Sequence, residues 1–139
     1  MSVTVPTFTE AVAPPRATTL RRSTLTVGLV GAALTTATAG VVHAAGTPLA
    51  VKGEMIPLAG FAQLTFVGAV IGGLLLAVLN RRSSAPRRRF LQATTVLTAL
   101  SCVPSVALPP DAGTKLALVT LHVLAAVIIV PVLVRHAGN

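Results

Sequence analysis

Four apolar stretches, roughly Thr24–Ala45, Pro57–Leu79, Phe90–Leu108 and Thr114–Val134, constrain this chain more than any other feature. Each is about 20 residues long, the length at which a helix crosses a hydrocarbon core of about 30 Å. In lipid every backbone polar group must be satisfied internally, and consecutive helices achieve that without an exposed sheet edge. The expected fold is therefore all-α: an integral membrane four-helix bundle filling residues 21–139. Residues 1–20, rich in Thr, Pro, Val and Ala, lack helical periodicity and read as a disordered cytoplasmic tail.

Composition narrows the function classes. Only 10% of the residues are charged, whereas 53% are hydrophobic; a soluble domain carries about 25% charged residues. The net charge of +8 would suit nucleic acid, but its placement argues against that partner. Nine of the eleven basic residues fall in three groups: Arg16, Arg21 and Arg22; Arg81, Arg82, Arg87, Arg88 and Arg89; and Arg135. These are the segment before span one, the link between spans two and three, and the end after span four. The other links hold Lys52 beside Glu54, and Lys115 near Asp111. Short Lys/Arg-rich connections stay in the cytoplasm. Both termini and the middle link are thus expected inside (N-in/C-in), in a multi-pass protein of the cytoplasmic membrane. Four crossings independently return the chain to its starting side. Arg21, Arg22, Arg81, Arg82, Arg87, Arg88 and Arg89 fix topology and face anionic headgroups of the bilayer, each charge worth about 1 kcal/mol near such a surface.

Span one admits a second reading. Arg21-Arg22, an apolar core and Val42-His43-Ala44 before Ala45 have the form of a secretory signal with a small-residue cleavage site. The apolar run exceeds the usual h-region of about 7–15 residues, which favours a retained span. Gly68 and Gly72 form a GxxxG in span two. It is either a dimer face or ordinary packing within the bundle. Pro104 and Pro131 interrupt spans three and four, freeing the carbonyls of Leu100 and Val127. Asp111 or Thr114 is placed to cap span four.

Function inside a membrane concentrates at polar groups. No Asp, Glu, Lys or Arg occupies the interior of any span, which weighs against ion-coupled transport. The candidates left, neutral or titratable near pH 7, are Thr38, Gln63, Ser101 and His122, one per span. At about 1.5 Å rise per residue all four lie about 9–12 Å below the outer surface. One polar residue per helix in one layer predicts an interhelical hydrogen-bond network, structural or ligand-binding. Thr94, Thr98, Ser101 and Ser105 make a stripe on span three. Ala125 and Ala126 share a face with His122, and Gly60 shares one with Gln63. A single cysteine, Cys102, excludes an intrachain disulfide. His43 and His122 stand at different depths, without the further His, Met or Cys that haem or a metal would want. No cofactor is expected, and no catalytic constellation: a base at His122 would have no carboxylate partner in the spans.

The run Pro109-Pro110-Asp111-Ala112-Gly113-Thr114-Lys115, followed by Leu118-Val119-Thr120-Leu121-His122-Val123-Leu124-Ala125-Ala126 and the late Pro131, resembles an uncharacterised family of small four-span membrane proteins from actinobacteria. The resemblance implies the four-span layout and an uncleaved span one, and supplies no activity. The expectation is a non-enzymatic protein that packs against itself, as a homo-oligomer, or against a membrane partner. A small-molecule transporter or transporter subunit is the alternative.

Overall fold

The structure, a computed structural model, describes residues 16–109 and 111–138. Four helices run along it: α1 Arg16–Ala44, α2 Leu58–Arg82, α3 Pro86–Ala107 and α4 Ala112–Val134. All four are long and apolar enough to cross a membrane, and they pack together. α1 lies along α2 and also against α4, α3 lies against α4, and α2 meets α3 over a smaller area. Large apolar side chains stay exposed on every helix, Leu29, Leu64, Leu100 and Val127 among them. On a water-soluble protein such a surface would be an aggregation hazard; against acyl chains it is the expected coat.

Most of the expected tail, residues 1–15, lies outside the described residues. Arg16–Leu20, however, belong to α1 and not to a tail. The reason is packing: Leu20 is buried with Leu76, Phe90 and Leu133 in a core at one end of the molecule, and its carbonyl accepts a hydrogen bond from Thr24 Oγ1 (2.8 Å). That contact extends the helix two turns before the hydrocarbon-length stretch begins. Arg21, Arg22, Arg81, Arg82, Arg87, Arg88, Arg89 and Arg135 are all exposed, and their places at the helix ends gather them at this same end. The acidic residues among those described, Glu54 and Asp111, are at the other.

The α1–α2 connection is more than a link. Ala50–Val51 (β1) pairs antiparallel with Glu54–Met55 (β2). Lys52 and Gly53 both have positive φ (53° and 84°), as a tight primed hairpin turn requires. Lys pays no such conformation lightly, so the turn was not legible from Lys-Gly as it would be from Asn-Gly. Leu49, also at positive φ (43°), is only 1% exposed. It plugs a second core with Ala39, Phe61, Ala117, Leu118 and Leu121, so the hairpin is pinned onto the helix ends.

In lipid, helices gain little from burying apolar surface and associate through close packing. The tightest approach is α1 on α2. A Cβ on Gly73 would sit 2.6 Å from Thr24 Cγ2, and one on Gly28 would sit 3.1 Å from Ala69 Cβ. Ala69 and Gly73, four residues apart, therefore form the small-residue seam. The more conspicuous Gly68 and Gly72 do not: a Cβ on Gly68 would meet nothing within 4 Å, and Gly72 faces Leu133 of α4.

α4 is capped as expected. Asp111 accepts from Thr114 N at 2.7 Å. This backbone hydrogen bond, foremost, draws the Asp111 carboxyl below its ordinary value. A lowered carboxylate pKa adds stability above the unfolded value of about 3.9, lost as pH falls through the folded value. Asp111→Ala is expected to lower the melting temperature in detergent at pH 7, with the gap from the unmodified protein closing as pH falls through the lowered value of the Asp111 carboxyl. Asp111→Asn, which can still cap, is expected to keep most of the pH 7 stability.

Candidate functional site

α3 is the least embedded helix. Its buried residues are Pro86, Phe90 and Ser105. Because it leans on α4 and only lightly on α2, a cleft of about 600 Å³ remains between α2, α3 and α4. Ligand pockets commonly fall between about 300 and 1,000 Å³. The floor is α4, through Leu118, Leu121, His122, Ala125, Ala126, Ile129 and Leu133, none of which is exposed. The walls carry exposed lining residues: Leu64, Gly68 and Ile71 on α2, and Leu97, Pro104 and Leu108 on α3. Exposure along both walls and burial of the floor place the mouth between α2 and α3, facing the lipid. Val51 and Ile56 bound one end of the cleft, and Phe90 and Leu133 the other. Small residues create the space. Gly68, Ala125 and Ala126 remove the side chains that would fill it, and α2 and α3 do not close over them.

The hydroxyl stripe of span three falls where its phase predicts. Thr94, Thr98, Ser101 and Ser105 all line the cleft. Each bonded hydroxyl serves its own helix: Thr94 Oγ1 donates to Phe90 O (2.8 Å), Ser101 Oγ to Thr98 O (2.8 Å) and Ser105 Oγ to Ser101 O (3.4 Å). His122 lines the same cleft from α4, with Nδ1 2.8 Å from Leu118 O.

The four-residue polar layer does not form as a network. No hydrogen bond joins any two of Thr38, Gln63, Ser101 and His122. Ser101 and His122 share the cleft. Thr38 does not line it and donates to Leu34 O on its own helix (2.8 Å). Gln63 is exposed, because the inward face of α2 is set by Phe61, Ala69, Gly73 and Leu76. Two residues from Phe61 is about 200° around the helix, so Gln63 points away. Spacing along the sequence does not reveal that rotation.

The polar contact that does cross between helices was not singled out in advance. Thr35 and Thr65 hydroxyls meet at 3.0 Å, with Thr35 1% exposed and also bonded to Gly31 O (2.9 Å). Interhelical bonds of this kind average about 0.6 kcal/mol in membranes. Thr65 stands one turn before Ala69 and Thr35 two turns after Gly28, both residues of the α1–α2 seam, and that spacing is the sequence signal that could have found them.

At the arginine end, Ser84, Arg87, Arg88, Leu91 and Gln92 line a shallow groove with Gly138. The C-terminal residues are held there by Asn80, whose Nδ2 donates to His136 O (3.0 Å) and whose Oδ1 accepts from Gly138 N (2.9 Å).

Among known proteins, the model of a family described as a family of unknown function, DUF6069, matches residues 15–139. No curated protein and no solved structure matches the chain.

Proposed function

Since the chain belongs to a family of unknown function, DUF6069, we propose from its own geometry that it is a non-enzymatic membrane protein acting by interaction, with the α2–α3–α4 cleft as its interaction site. The cleft carries this reading. It is of ligand size, floored by a packed helix and open along its length to the bilayer. An apolar guest could enter sideways without crossing water. The polar groups inside are hydroxyls and one imidazole, so they orient a guest and supply no carboxylate for acid–base chemistry. The arginine end lies in the cytoplasm, by the bias of short basic links. There Arg87 and Arg88 are available to anionic headgroups, and a copy of the chain or a membrane partner is accommodated on the exposed helix faces.

The test is native mass spectrometry of protein released from membranes without harsh delipidation. A hydrophobic adduct is expected on the unmodified chain. Gly68→Trp, at a cleft-lining position where a Cβ meets nothing within 4 Å, is expected to abolish that adduct at an unchanged melting temperature. No adduct, or the same adduct on the Trp variant, overturns the reading. A transporter subunit is the second reading, favoured by one observation: lining residues reach from the hairpin end to the arginine end. Flux into vesicles lost in Gly68→Trp would select it.

A further inference from the structure

The geometry points to a lipid alcohol as the guest: a molecule with one long apolar body and a hydroxyl that seats against His122. This rests on the cleft being a guest site, and adds the class of guest.

The argument is a count of donors and acceptors. A carbonyl oxygen only accepts, so the 2.8 Å contact of His122 Nδ1 with Leu118 O places the proton on Nδ1. In the neutral imidazole Nε2 is then a lone-pair acceptor. Among the described residues Nε2 has no hydrogen-bond partner, and the ring lines the cleft. The hydroxyls opposite point the same way. Thr94 and Ser101, which line the cleft, have each committed their one proton to a backbone carbonyl of α3, which leaves their oxygens only as acceptors. Thr98 lines the cleft with no bond among the described residues, so its hydroxyl is free to donate. The site thus offers several acceptors and one donor. A guest hydroxyl, which gives one hydrogen bond and can take another, satisfies both sides. A ketone, ester or ether cannot donate and leaves Nε2 unpaired.

Size separates a lipid from a partner helix. A 20-residue helix of about 10 Å diameter and about 30 Å length occupies more than about 2,000 Å³, several times the 600 Å³ present. A single extended chain is of the right order.

Two photoactivatable probes test the class: a long-chain alcohol carrying a diazirine, and its methyl ether, each added to the full chain in lipid nanodiscs. The alcohol is expected to crosslink to cleft residues and to compete with unlabelled alcohol. The ether is expected to bind about three- to tenfold more weakly, the range of one hydrogen bond. In His122→Leu, which keeps an apolar side chain of moderate size, the difference between the probes is expected to vanish. A matching melting temperature would establish that this variant still folds. Equal binding of alcohol and ether to the unmodified chain overturns the lipid-alcohol assignment while leaving the cleft a guest site. An imidazole nitrogen NMR spectrum placing the His122 proton on Nε2 overturns it as well. Failure of both probes to label the cleft in the unmodified chain, alongside absence of any native adduct, overturns the guest site itself.

Discussion

Gly73→Leu is expected to separate α1 from α2 and deprive the protein of a monodisperse folded state in detergent. Even a Cβ at this position would lie 2.6 Å from Thr24 Cγ2 and 3.1 Å from Thr24 Cβ. Thr24 cannot yield easily: it is 7% exposed and its hydroxyl is bonded to Leu20 O. Overpacking a filled core costs about 1–3 kcal/mol, and more where backbones must part. The seam supplies much of what holds two helices together in lipid, where apolar burial contributes little. Size-exclusion profiles and thermal unfolding in detergent measure the effect. Gly68→Leu, five residues earlier, is the control. A Cβ there meets nothing within 4 Å and the position borders the open cleft, so the melting temperature is expected to hold. Equal damage from both substitutions would refute the assignment of the seam to Ala69 and Gly73.

The second large effect concerns orientation. In a Cys102→Ser background, Ser84→Cys is expected to resist a membrane-impermeant thiol reagent applied to intact cells. Replacing Arg81, Arg82, Arg87, Arg88 and Arg89 with Asn should make a substantial fraction of molecules reactive. Five of the nine clustered arginines would be gone, and the basic bias of short links dominates topology. No ion pair holds these side chains among the described residues, so their removal costs little in packing and the readout isolates orientation. Labelling of Ser84→Cys from outside with the arginines intact would invert the proposed sidedness.

In a membrane chain, patterning carries the length of a helix far better than its rotation. The stretches ended within a few residues of α2, α3 and α4, because length against bilayer thickness sets those bounds. The Asp111 cap and the α3 hydroxyl stripe were also legible, since each depends on spacing along one helix. Gln63 was misplaced and Thr35–Thr65 was missed for a common reason. In a water-soluble helix the polar side reveals the buried side. Here the lipid face and the packed face are both apolar, so rotation about the helix axis leaves hardly any trace. The hairpin was missed because its turn rests on Lys52 at positive φ and its anchor on a single buried leucine, Leu49.

What the order of residues determined alone is the number of crossings, the helical form of each and the end at which positive charge collects. Solvent imposes all three: hydrocarbon demands about 20 apolar residues and internally satisfied backbones, and it rejects guanidinium groups. Only the tertiary structure decided which glycine meets a neighbour and which lines open space. Gly73 is filled by Thr24, Gly68 by nothing. Adjacent positions on a helix differ by about 100°, and contacts between helices, not composition, choose among those directions. The cleft follows from that choice, for it is the volume that α2 and α3 leave unclosed over the small residues of α4.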